Sequence, residues 1–136
     1  FNLDLAKEQS EKNPVYYIQY ANARICSILR KVTGYRSRVT GYELLNHPSE
    51  LNLIKQLIRL PEIIEDIAKD YQVQRLPQYA TDLATSFHQF YRDCQVLVEL
   101  VETRSLREAR LSLILAAKIV LKNTLDLMGI STPEKM

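Results

Sequence analysis

The chain has 136 residues, of which 46% are hydrophobic and 25% charged, enough for one domain with a buried core of its own. Its longest strongly apolar run without a charge, residues 111–117, is too short to cross a bilayer, which excludes a helical membrane anchor within it. Net charge is +2, yet residues 12–42 contain Lys12, Arg24, Arg30, Lys31, Arg36 and Arg38 and no acid, so this stretch carries +6 and the remainder −4.

That division of charge suggests a positive surface able to attract an anionic partner such as nucleic acid. Three glycines and five prolines, with abundant Leu, Ile, Ala and Glu, favour helices throughout, and the predicted class is an all-α bundle of about five helices. Residues 1–12, FNLDLAKEQSEK, read as a lead-in, and residues 13–136 as one helical domain. The chain begins with Phe and has no signal-peptide pattern, so it is expected to be a piece of a longer cytoplasmic protein.

The first long helix is predicted to start at Asn13, a good N-cap, with Pro14 at the first helical position, where its missing N–H costs nothing. At about 100° per residue, Ile18, Ala21, Ile25, Ile28 and Val32 form a core stripe. Opposite lie Tyr16, Tyr20, Ala23, Arg24, Ser27 and Lys31, with Arg30 on the flank. Such rings either pack against a neighbouring element with their hydroxyls at the rim or meet unstacked bases.

Residues 33–42, TGYRSRVTGY, read as a loop whose Tyr35, Tyr42, Arg36 and Arg38 interleave rings and guanidiniums, as contacts to single-stranded RNA do. Ser49 or His47–Pro48 opens a second helix carrying Leu51, Ile54, Leu57 and Ile58, which Pro61 ends. A third helix follows, with Ile63, Ile64, Ile67, Ala68 and Tyr71 expected inside and Glu62, Glu65, Asp66 and Asp70 outside. Its acids at the first turn complement the helix dipole and need no catalytic reading.

A fourth helix is expected from Leu76–Pro77 to about Cys94, with Leu76, Leu83, Phe87, Phe90 and Cys94 in the core. His88, Arg92 and Gln95 point away and Tyr91 lies on the border, a second place where bases could be held. Ser105 and Glu108 have capping-box spacing ahead of a last helix. That helix is apolar almost all round, through Leu106, Leu111, Leu113, Ile114, Ala117, Val120, Leu121 and Leu125, and is expected to be largely buried. Arg107, Arg110 and Lys118 on it should snorkel or pair with acids. Gly129 is a natural left-handed stop, with Ile130 folding back.

No phosphate loop and no nucleophile with a base at a recognisable spacing occurs, so no catalytic residue is assigned. Cys26, Cys94, His47 and His88 do not supply a metal-ligand set at their spacing, and the thiols are expected to be free in a reducing compartment.

The segments NPVYYIQYANAR, DLATSFHQFYRDCQV, SLREARLSLILAAKIVLKNTLDLMGI and the closing STPEKM together resemble the C-terminal, DALR-type anticodon-binding domain of arginyl-tRNA synthetases. The resemblance runs in order over nearly the whole chain, and LDLAKEQ in residues 3–9 is similar to the end of the catalytic domain that precedes the bundle. One departure is Asn22, where the family often has His. The resemblance implies a parent enzyme that ligates arginine to its tRNA with ATP and magnesium, a monomer whose bundle docks the anticodon stem and loop. The family's HIGH-like and KMSK-like sequences are absent from these residues, so no cofactor is expected in the fragment itself.

On this reading Tyr16, Tyr20 and Tyr91 are stacking candidates, and Gln19, Asn22, His88 and Gln95 read base edges. Arg24, Arg30, Lys31 and Arg92, with Arg36 and Arg38 on the loop, hold phosphates, and Met136 lines the site. Two alternatives stay open: a tyrosine face that docks the bundle on its own catalytic domain, and a free-standing paralogue that binds another RNA.

Overall fold

The computed structural model describes residues 1–32, 41–97 and 104–136. They form a short α1 (Leu3–Lys7) and five long helices, α2 (Pro14–Lys31), α3 (Pro48–Ile58), α4 (Leu60–Asp70), α5 (Arg75–Asp93) and α6 (Arg104–Leu127). A 3-10 turn at Tyr42–Leu44 precedes α3, and no strand occurs among the described residues. Helix α5 packs against α2, α3, α4 and α6. Its buried face, Tyr79, Ala80, Leu83, Ala84, Phe87 and Phe90, is the centre of the core. Helix α6 is largely buried as expected, through Leu111, Leu113, Ile114, Ala117, Leu121 and Leu125.

Asn13 caps α2 as its position predicts, its side-chain oxygen accepting from the N–H groups of Val15 and Tyr16 at 3.1 and 3.4 Å. The same amide donates to the carbonyls of Ala6 and Glu8, both at 3.0 Å, and so ties α1 to the start of α2. Ile18, Ala21, Ile25 and Ile28 are buried, as the stripe requires. Ala23, expected opposite them, is buried too, because the segment after α6 lies over that side of α2.

Away from the α2–α5 face, the structure differs from the periodicity reading in three further places. On α3 the buried line is Glu50, Leu53 and Leu57, while Leu51 and Ile58 are exposed. The helix is turned so that the Glu50 carboxylate can accept from the His47 N–H at 2.9 Å and from Arg110 Nε at 2.5 Å. On α4 only Leu60 and Ile63 are fully buried; Ile64 lies along an open apolar groove, and Tyr71 is 83% exposed. Tyr71 adopts φ 58°, ending the helix in the left-handed region and swinging its ring out of the helical face. Third, Ser105 is already inside α6, and Glu108 lies 3.5 Å from Arg104 in an ion pair, so this serine is no N-cap.

At the other end of α6, Gly129 takes φ 68° and the Ile130 N–H returns to the Leu125 carbonyl at 2.9 Å. This is the predicted stop, and Ile130 packs back on the core. Residues 131–136 then run across α2 without regular secondary structure.

Candidate nucleic-acid interface

Successive turns of α2 present Tyr16, Tyr20 and Arg24 in one row, because residues four apart share a helix face. The rings of Tyr16 and Tyr20 are nearly parallel, 10° apart in plane with centroids 6.4 Å apart. Arg24 lies between two rings from different helices. Its guanidinium carbon is 5.1 Å from the Tyr20 centroid and 5.0 Å from that of Tyr91 on α5. It also donates to the Tyr20 hydroxyl at 3.3 Å and faces His88 Nδ1 at 3.4 Å.

His88 is not the outward-pointing side chain that α5 periodicity suggests. Its ring lies 5.1 Å from Tyr17, 5.6 Å from Phe87 and 6.0 Å from Tyr20. Burial, then the Arg24 charge, push its pKa down to about 4, so the imidazole is neutral at physiological pH. A guanidinium can only donate, so Nδ1 is the acceptor and the proton sits on Nε2. That Nε2 is buried with no hydrogen-bond partner.

Three clefts line this face. One of about 480 Å³ is bounded by Tyr16, Tyr17, Tyr20, Arg24, His88 and the acid Glu11. The second, about 440 Å³, lies between Tyr20, Arg24, Lys31 and Tyr91 on one side and residues 134–136 on the other. The third, about 270 Å³, is lined by Tyr91, Arg92, Gln95 and their neighbours. Tyr20 and Arg24 form the partition between the first two, and Tyr91 that between the last two. The arrangement offers aromatic faces at the floor and cations at the rim.

The DALR anticodon binding domain family matches residues 18–136. The chain belongs to that family. Among curated relatives, the arginine–tRNA ligase of Dehalococcoides mccartyi strain CBDB1 is 47% identical over all of this chain, which covers 24% of that protein. That of Moorella thermoacetica is 48% identical, with 25% of it covered. Among solved structures, the arginyl-tRNA synthetase of Thermus thermophilus superposes over the whole of this chain with a TM-score of 0.81 at 32% identity, covering 23% of that chain. The Plasmodium falciparum enzyme gives a TM-score of 0.75 at 29% identity, again over 23% of its chain. The DALR domain thus spans about a quarter of the relatives it matches.

The fold brings Tyr16, Tyr20 and Arg24 of α2 together with His88 and Tyr91 of α5 in one cluster, where the sequence reading had two separate places and His88 pointing away. Arg92 and Gln95 sit at its edge, both exposed. Arg92 is 2.9 Å from Asp93, whose carboxyl that hydrogen bond, and a second from Ser49, hold below the usual carboxylate range. Lys31 and Met136 line the second cleft. Gln19 and Asn22 turn their amides to Ser131 and Pro133 and not to the clefts, whereas Arg30 bonds the Glu134 carbonyl through Nη1 and is at the same time exposed along the second cleft. Arg36 and Arg38, with Tyr35, lie outside the described residues, and Tyr42 begins the 3-10 turn that packs against α6.

Sequence reasoning missed Tyr17, Glu11 and Lys135. Tyr17 falls between the two faces of α2 by periodicity, and only the approach of α5 turns it into a wall of the first cleft, its hydroxyl 3.2 Å from Thr85 Oγ1. Lys135 carries a signal that went unused, a cation next to Met136 in the motif STPEKM. The described residues contain no cluster of His, Cys, Asp or Glu able to hold a metal ion, and no described helix is long and apolar enough to cross a membrane.

Proposed function

We propose that this DALR domain binds the anticodon stem and loop of an arginine tRNA, as part of a longer arginine–tRNA ligase. The observation that carries the reading is Arg24 held between Tyr20 and Tyr91, which joins three ring-lined clefts under a cationic rim. Anticodon bases are single-stranded and can splay out, so Tyr16, Tyr20 and Tyr91 take base faces while Gln95 meets base edges; His88, with Nδ1 facing Arg24 and Nε2 buried, backs the tyrosine platform. Lys31, Arg92 and Lys135 hold phosphates and set register. Arg24, already satisfied by two rings and a hydroxyl, rigidifies the platform and adds charge to it. The reading makes the domain a cytoplasmic one, in which the buried, free thiols of Cys26 and Cys94 stay reduced. Activation of arginine with ATP and magnesium is left to the rest of such an enzyme, and none of it is assigned to these residues.

The first cleft supports a second use. Glu11 lines it, and an acid there opposes a phosphate backbone, while neighbouring α1 buries none of its residues. A cleft of tyrosines beside an uncovered lead-in suits docking of a preceding domain, with RNA kept to the second and third clefts. Tyr91→Ala tests the main reading. A lost stacking ring costs about 1–3 kcal/mol, so affinity for an arginine-tRNA anticodon stem-loop should fall roughly fivefold to 150-fold in a fluorescence titration. Unchanged affinity would remove the α5 edge from the site, and a loss with Tyr16→Ala confined to thermal stability would assign the first cleft to docking.

A further inference from the structure

Three side chains of α2 point at one strap. The Gln19 amide donates to the Ser131 carbonyl at 3.0 Å and to its hydroxyl at 3.2 Å. The Asn22 amide donates to the Pro133 carbonyl at 3.0 Å, and Arg30 Nη1 to the Glu134 carbonyl at 3.2 Å. Residues 131–136 have no regular secondary structure, so these carbonyls lack helix or ladder partners of their own, and the α2 donors satisfy them. Because three of these four bonds fall on backbone oxygens, they hold the strap in place whatever side chains it carries outward. The order 19, 22, 30 against 131, 133, 134 makes the strap run in the same direction as α2, and Gly129 with φ 68° is what aims it there.

Asn22 is 2% exposed, so its amide has no face left for a base. The strap's far end, by contrast, is open: Glu134, Lys135 and Met136 are exposed and wall the second cleft opposite Tyr20 and Tyr91. A six-residue segment left loose would have to be ordered when a ligand arrived; clasped to α2, its ordering entropy is spent on folding instead.

We infer that Gln19 and Asn22, together with Nη1 of Arg30, clasp residues 131–136 onto α2 as positioning groups, and that RNA meets the clasped strap through Lys135 and Met136 instead of meeting the Gln19 and Asn22 amides. The inference rests on the RNA-binding reading above and assigns a partner to each side of the strap.

A double-mutant cycle tests it. Asn22→Leu is made in the 136-residue chain and in a chain ending at Ile130, and the dissociation constant for an arginine-tRNA anticodon stem-loop is measured for all four proteins. In the full chain Asn22→Leu should weaken binding on the order of tenfold, the scale of one lost hydrogen-bonding group. In the shortened chain it should change nothing further, since the strap through which it acts is gone. An equal loss in both backgrounds means that Asn22 touches RNA directly and overturns the inference. Should Asn22→Leu fail to fold, Gln19→Leu at the half-buried rim runs the same cycle. Backbone 15N relaxation supplies a readout without RNA: residues 131–136 should gain fast motion in either variant while α2 and α5 do not, and an unchanged strap overturns the clasp. If Tyr91→Ala weakens binding and the clasp variants do not, the RNA reading stands and this inference falls; if the unaltered chain binds no stem-loop, both the reading and the strap's RNA role fall, and relaxation alone judges the clasp.

Discussion

His88 has an environment that resists protonation, with burial and the Arg24 guanidinium both favouring the neutral ring. Its pKa falls from 6.5 to about 4 on folding, so between those values the unfolded chain binds a proton that the folded chain does not. Stability therefore drops as pH is lowered through that window, and the drop from this residue is complete only below about 4. Chemical denaturation at pH 7 and pH 4.5 should show this, and His88→Phe should make the difference smaller. The imidazole 13C and 1H shifts should stay those of the neutral, Nε2-protonated form down to about pH 5, and a midpoint near the model-peptide value would contradict the packing of this ring. The second proton would enter at Nδ1, the nitrogen that faces the Arg24 guanidinium at 3.4 Å.

Among the helices, the most demanding join is the one around Glu50. Its carboxylate is 1% exposed at the side chain and accepts from Arg110 at 2.5 Å and from the His47 N–H at 2.9 Å. Arg110 spends a second donor on the Gln95 carbonyl at 2.9 Å, and the neighbouring Cys94 thiol is pushed up to about 11 chiefly by burial. One acid thereby joins the start of α3, the turn after α5 and the first half of α6. Removing one member of a buried pair strands the other charge, which costs about 3–5 kcal/mol. Glu50→Ala should lower the unfolding free energy by that order in a urea titration. Glu50→Leu combined with Arg110→Leu should recover most of it, because the double replacement leaves no buried charge. A Glu50→Ala loss below about 1 kcal/mol would mean that Arg110 finds water, as an exposed pair does.

Over the whole molecule, cations and acids gather on different helices, Arg24, Arg30 and Lys31 on α2 and Glu62, Glu65, Asp66 and Asp70 on α4. Helix α4 packs on α5 and α3, while Lys31 and Lys135 share the second cleft of the α2 face. Binding of an anticodon stem-loop should weaken linearly on a log–log plot as salt rises, and each of Lys31→Ala and Lys135→Ala should lower the slope by about 0.7 for every phosphate that the variant no longer neutralises. A slope unmoved by both would put the phosphates elsewhere, with Arg36 and Arg38 the next substitutions to make. The sequence by itself determined the five long helices and three of their ends: Asn13 with Pro14, His47 with Pro48, and Gly129 all act through their nearest neighbours in the chain. It also determined the grouping of Tyr16, Tyr20 and Arg24, since these share one face of one helix, and the family through its motifs. Only the tertiary structure decided how these residues are used. His88 is turned inward by α2, Glu50 and not Leu51 faces the core because Arg110 waits there, and Gln19, Asn22 and Arg30 are bonded to a strap more than a hundred residues further along. Periodicity reports which way a side chain leaves its own helix; what it meets there is fixed by residues distant in sequence, which no local pattern encodes.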